Sequence, residues 1–110
     1  MMNNEMLLKN MRCDDVIELL RQSTPQDTVL KMIDLHLYRK HKNKVINHYG
    51  APHIITIRHR AVLSYFFVSG WTYSRTAQQT GYSIERVRYV CYSFVFDVIM
   101  GKAFQQFIKK

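Results

Sequence analysis

A chain of 110 residues has the length of one domain, and with 47% hydrophobic and 13% aromatic residues it can close a core rather than stay disordered. Its net charge of +8 favours an anionic partner. Cys13 and Cys91 form neither a disulfide framework nor a CxxC pair, no apolar run approaches a membrane span, and the Asn-rich, acid-bearing start does not read as a signal peptide, so a cytoplasmic protein with no membrane partner is expected.

The charge is unevenly placed. Residues 1–34 hold six acids against four Lys/Arg, residues 35–84 hold seven Lys/Arg and no acid, and residues 85–110 net +3. The anionic partner is therefore expected at the middle and C-terminal parts of the chain.

In chain order, Met6, Leu7, Leu8 and Met11 repeat at helical spacing over residues 4–11. Asp14 reads either as the N-cap of a second short helix holding Val16, Ile17, Leu19 and Leu20, or as an exposed residue of one longer helix. Ser23-Thr24-Pro25-Gln26-Asp27 predicts a helix start: a hydroxyl cap, proline at the first position and an acid in the first turn. Val29, Leu30, Ile33 and Leu37 form the stripe of that helix. The run Arg39-Lys40-His41-Lys42-Asn43-Lys44 is either its solvated end or a phosphate-contacting stripe. Gly50-Ala51-Pro52 is the clearest break, so residues 1–50 are assigned to an N-terminal helical region for packing or oligomerisation and residues 51–110 to a second unit. His53 to Ile57 reads as a short extended segment, with Thr56 capping a helix that carries Ala61, Val62, Tyr65, Phe66 and Val68 and ends at Ser69-Gly70.

The stretch from Gly70 to Ser93 predicts two short helices joined by a tight turn. Thr72 caps the first, Ala77 is small where two helices cross, Gly81 suits a left-handed turn, and Ser83 caps the second. Val87 and Val90 fall on one face and anchor the second helix against the first. A small residue, a glycine four on and an aliphatic six further on make the helix-turn-helix pattern. The second helix continues well past the motif through Cys91, Phe94, Val95, Val98 and Ile99 until Gly101, after which Ala103, Phe104, Phe107 and Ile108 form a terminal apolar turn.

With Val62-Leu63 and Val68-x-Gly70-x-Thr72-Tyr73 added, the stretch resembles the helix-turn-helix of sigma-factor region 4 and of LuxR-type regulators. The sigma-like match runs without a gap from Val62 to Arg88, and the LuxR-like one needs a one-residue shift before Gly70. A weaker resemblance links the V-x-G-x-S/T lead-in to PapB-type regulators of fimbrial operons. Thr76 and Thr80 depart from the pattern, which prefers aliphatic residues there, and imply a looser interior. The resemblance implies an all-α fold, N-terminal helices leading into a helix-turn-helix unit with an extended last helix. It also implies a bacterial or phage transcription regulator that binds double-stranded DNA at the nucleoid.

Under that reading, Ser83, Ile84, Glu85, Arg86, Arg88, Tyr89 and Tyr92 line the recognition helix. Arg88 reads either as a base contact or as a phosphate contact. Thr72, Tyr73, Ser74 and Arg75 open the preceding helix, where hydroxyls, free N–H groups and a guanidinium suit phosphate. No catalytic set stands out, and the five histidines lack metal-ligand spacing, so no enzyme activity, metal or cofactor is called for. A homodimer or higher homo-oligomer is expected, with the region from Phe94 to Ile108 in its interface, because one motif alone discriminates weakly. Two other readings stand beside DNA binding: an adaptor contacting RNA polymerase or another regulator through a region-4-like fold, and an RNA-binding protein.

Overall fold

The computed structural model describes residues 12–42 and 54–108. The expected helix over residues 4–11 and the break at residues 50–52 lie outside them. Among the described residues every regular element is helical, and the fold is all-α.

Helix α1 (Cys13–Glu18) starts earlier than Asp14 suggested. Arg12 is its extended N-cap, and Asp14 and Asp15 both lie in the first turn. The Asp15 carboxylate accepts a hydrogen bond from the Arg12 N–H at 3.3 Å, so an acid three residues into the helix satisfies a free donor. A wide π-type turn, Leu19–Ser23, follows. Val16, Ile17 and Leu20 are buried, but Leu19 is only half-buried.

Helix α2 (Gln26–Lys40) begins where predicted, by a different device. Pro25 occupies the N-cap position, one residue earlier than the expected first helical turn, and no hydroxyl caps the helix. The Thr24 hydroxyl instead donates to the Leu19 carbonyl at 3.0 Å, closing the preceding π-turn. Val29, Ile33 and Leu37 are buried as expected. Met32 and His36 join them, while Leu30 stays half-buried.

Helix α3 (Ile54–Leu63) is already helical where an extended segment was expected. Thr56 is therefore not a cap. It sits inside the helix, on the buried face with His59, Val62 and Leu63. A second π-type turn, Ser64–Val68, ends this run, and Gly70 with φ of 75° turns the chain. Helix α4 (Tyr73–Thr80) and helix α5 (Ile84–Met100) form the helix-turn-helix. Both predicted caps are present: Arg75 N–H donates to the Thr72 hydroxyl and Arg86 N–H to the Ser83 hydroxyl, each at 3.1 Å. Gly81 turns between them with φ of 78°, a conformation that costs other residues a steric clash.

The looser interior expected at Thr76 is not found. Thr76 is fully buried, and its hydroxyl donates to the Thr72 carbonyl at 2.8 Å, so the helix absorbs the polar group internally. The Thr80 hydroxyl does the same to the Thr76 carbonyl at 2.7 Å.

All seven inward positions of α5 are buried: Val87, Val90, Cys91, Phe94, Val95, Val98 and Ile99. They share one core with Val16, Leu20, Val29, Ile33, Val62, Phe66 and Ala77, so helices from both sides of residue 50 enclose a common interior. Gly101 ends α5 because a side chain there would meet the Asp97 carbonyl at 2.6 Å. The turn lets Lys102–Phe104 and helix α6 (Gln105–Ile108) fold back, and Phe104 is fully buried. This corrects the expected dimer surface. Phe94, Val98, Ile99 and Phe104 are consumed inside one chain, leaving Phe96 at 61% and Met100 at 53% exposure on that helix.

Candidate nucleic-acid interface

The site is the first half of α5 together with the start of α4. Ser83 and Thr72 fix where the two helices begin, and Ala77, 7% exposed, lets Val87 seat at their crossing with no exposure. That contact fixes which face of α5 looks outward. Glu85, Tyr89 and Tyr92 point to solvent. Arg86 and Arg88 are exposed on either side of them, about 160° apart around the axis at roughly 100° per residue.

Each arginine flank rests on aromatic rings. On one side the Arg88 guanidinium lies 5.4 Å from the Tyr73 ring, which stacks on Phe66 at 4.4 Å, with Arg21 on Phe66 at 4.3 Å. Beside it Arg75 lies 4.0 Å from the Trp71 ring, itself stacked on Tyr65 at 4.2 Å. On the other side Arg58 lies 4.2 Å from Tyr82, and Arg86 stands 5.9 Å from Tyr82 and 5.5 Å from Tyr89. Lys40 completes that flank, 5.1 Å from the Tyr89 ring, and donates to the Ser93 hydroxyl at 2.8 Å. Stacking holds these cations in place while their N–H groups stay free to donate outward.

The sequence-predicted residues divide into two groups. Ser74, Arg75, Ile84, Glu85, Arg86, Arg88, Tyr89 and Tyr92 are exposed and share one side of the motif. Thr72 and Ser83 are exposed too, but their hydroxyls cap helices. Tyr73 supports rather than reaches. It is half-buried, and burial raises its phenol above the ordinary tyrosine pKa.

Three basic residues went unnoticed in the sequence because their partners are distant along the chain. Arg58 donates to the Thr80 carbonyl at 3.1 Å, closing the end of α4. Arg21 donates to the Gly70 carbonyl at 2.8 Å and so pins the lead-in to the motif from α1's side of the fold. Lys40 belongs to the basic run whose role the sequence left open, and it lies beside Tyr89.

Beneath the Tyr82 and Arg86 flank sits a pair of histidines. His41 Nε2 and His59 Nδ1 are 3.3 Å apart, with His59 edge-on to Tyr82 at 6.1 Å. His59 is 3% exposed and its Nε2 has no hydrogen-bond partner. Burial, with the neighbouring His41, Lys40 and Arg86 charges, lowers its pKa to about 4. His36 is also held below its ordinary pKa by burial, against the pull of Asp97, whose Oδ2 lies 2.9 Å from Nδ1. Burial pushes the Cys91 thiol up to about 12, which marks it as a core residue rather than a nucleophile.

Among the described residues no three His, Cys, Asp or Glu side chains are grouped to hold a metal ion, and no helix is long and apolar enough to cross a membrane. No family model, curated protein or solved structure matches the chain.

Proposed function

We propose that this protein is a sequence-specific, double-stranded DNA-binding transcription regulator that inserts the first half of α5 into the major groove. The observation that carries the reading is the pair of cationic flanks. A strip bearing Glu85, Tyr89 and Tyr92 runs between Arg86 and Arg88, each seated near an aromatic ring. A major groove presents base edges between two phosphate walls, which is the complement of such a strip. Arg88 reads a base, Glu85 accepts from a cytosine amino group, and Arg75 and the start of α4 meet phosphate.

Pairing into a homodimer belongs to the same reading, since one motif gives little discrimination against a genome of competing sites. It does not use the Phe94, Val98 and Phe104 surface, which is buried. Regulation in the cytoplasm of a bacterium or phage host, and contact with RNA polymerase, complete the reading.

The test is selection from random duplexes followed by titration of the enriched site across salt. With ~5–8 phosphates neutralised, the log–log slope should be about −4 to −7. A flat salt response, or no enriched sequence, would overturn the reading. Binding confined to single strands or RNA would replace it.

A further inference from the structure

The second half of α5 carries a feature that the DNA reading does not use. Between it and the end of α2 lies an open cavity of about 390 Å³, bounded by Arg39, Lys40, Ser93, Phe96, Asp97 and Met100. Its rim is apolar: Phe96 is 61% and Met100 53% exposed, large side chains left in water at a cost. Its other wall is cationic. Asp97 is shared between His36, 2.9 Å from Oδ2, and Arg39, 3.5 Å from Oδ1. Lys40 has a hydroxyl and a ring as neighbours there rather than a carboxylate. With His36 held neutral by burial, two cations face one carboxylate.

We infer that this groove is a docking site for an acidic peptide segment of a partner protein, with apolar side chains seated on Phe96 and Met100 and carboxylates on Arg39 and Lys40. Charge complementarity selects this occupant. A second copy of the chain, placed symmetrically, would bring Arg39 and Lys40 of both copies together and add like-charge repulsion. Residues 1–11 carry one acid and one base, Glu5 and Lys9, and so supply no excess negative charge. DNA is a poor fit because recognition helices present their N-terminal residues, and Phe96 lies 12 residues beyond Ile84, about 18 Å along the axis. A small anionic ligand would remain half in water on so open a rim, whereas compact ligand sites bury most of their ligand. An extended or helical peptide covers the rim and the cationic wall at once.

The proposal is independent of the DNA reading, because binding is measured without DNA. The probe is a short fluorescein-labelled peptide alternating Asp or Glu with Leu and Trp, followed by anisotropy against the full chain. Phe96→Ser with Met100→Ser should weaken it by about tenfold or more, the size expected for loss of interface anchors. Arg39→Gln should weaken it by a smaller factor, and a peptide with Lys in place of its acids should not bind. Duplex DNA affinity and the thermal midpoint of the Phe96/Met100 variant should match wild type. In the ¹⁵N-labelled wild-type protein, amide shifts on adding the peptide should centre on Arg39, Phe96 and Met100. The proposal falls if a peptide with Ser in place of Leu and Trp binds equally, or if the double variant binds as wild type does. Amide shifts centred elsewhere would overturn it too. It also falls if benzoate saturates the groove while the peptide does not, or if wild type sediments as a dimer that Phe96→Ser dissociates. That last result would assign the face to a second copy.

Discussion

The two halves of α5 share an inward pattern and differ outward. From Val87 to Ile99 the buried positions recur every three or four residues without interruption, and all are close to fully excluded from water. Outward, the first half shows Glu85, Arg86, Arg88 and Tyr89, and the second shows Phe96 and Met100 beside Arg39. One continuous helix thus carries two surfaces of different chemistry on a single packing scheme. The inward period sets where the helix lies, and the outward residues alone determine what it can meet. The halves also differ in what supports them. The first packs on α4, a short helix whose buried side chains are Thr76 and Ala77, whereas the second packs around Phe94 with Phe67 5.1 Å and His36 5.3 Å away.

The severest way to break this arrangement is Val87→Lys. It places an unpaired charge at the crossing with Ala77, and the unit should lose its helical circular dichroism at 25 °C. A folded variant with a near-normal melt would mean that the two motif helices do not cross there. Phe94→Ala probes the other half. Emptying a fully buried ring site should cost ~3–5 kcal/mol in denaturant unfolding. DNA affinity should persist under conditions where the variant is folded, because the reading strip is untouched.

Substitutions on the outward face should do the reverse. Arg88→Ala should cost ~1–3 kcal/mol on the best duplex and relax preference at one base pair, with the thermal midpoint held. Arg75→Ala should weaken all duplexes alike. If both variants lower affinity uniformly across sequences, Arg88 contacts phosphate and the reading strip lies elsewhere.

The mildest probe is acid, and it acts on the seat of the first half. His59 holds a pKa of about 4 when folded against 6.5 when free. The unfolded chain therefore binds the extra proton between those values, and stability falls as pH drops through that window. Relative to pH 7.5, unfolding at pH 5 should be easier by about 2 kcal/mol from this group alone. His36, shifted in the same direction by burial, adds to the trend. His59→Gln should flatten the pH dependence; an unchanged slope would show that this histidine is not the acid-sensitive group.

The helix-turn-helix was legible in the sequence because its determinants are local. Thr72, Gly81 and Ser83 act within three or four residues of themselves, and the Val87-to-Ile99 stripe needs only helical period to be read. The misreadings arose where a polar side chain had a choice of partners. Thr24 could cap α2 or close the turn behind it, and it closes the turn. Thr56 looked like a cap but lies inside a helix that had already begun. The site's cationic flanks were half legible: Arg75, Arg86 and Arg88 belong to the motif, but Arg21, Lys40 and Arg58 reach it from 49, 53 and 22 residues away. The sequence carries no local trace of such contacts. Phe94 to Phe104 misled for a related reason, since an apolar stripe does not say whether its own chain or another copy will cover it.

The π-type turn at Ser64–Val68 has a consequence for how such a protein changes over generations. Its Ser69 N–H bonds to the Ser64 carbonyl, five residues back instead of four, so the turn holds one residue more than an α-helical turn. Losing one codon there would leave a continuous α-helix and rotate everything downstream by roughly 100°. The one-residue shift that separates this chain from the LuxR-type pattern falls in the same region, before Gly70. Single-codon gain or loss at this point re-aims an intact motif against an intact base, a larger step in orientation than any point substitution in the reading strip could make.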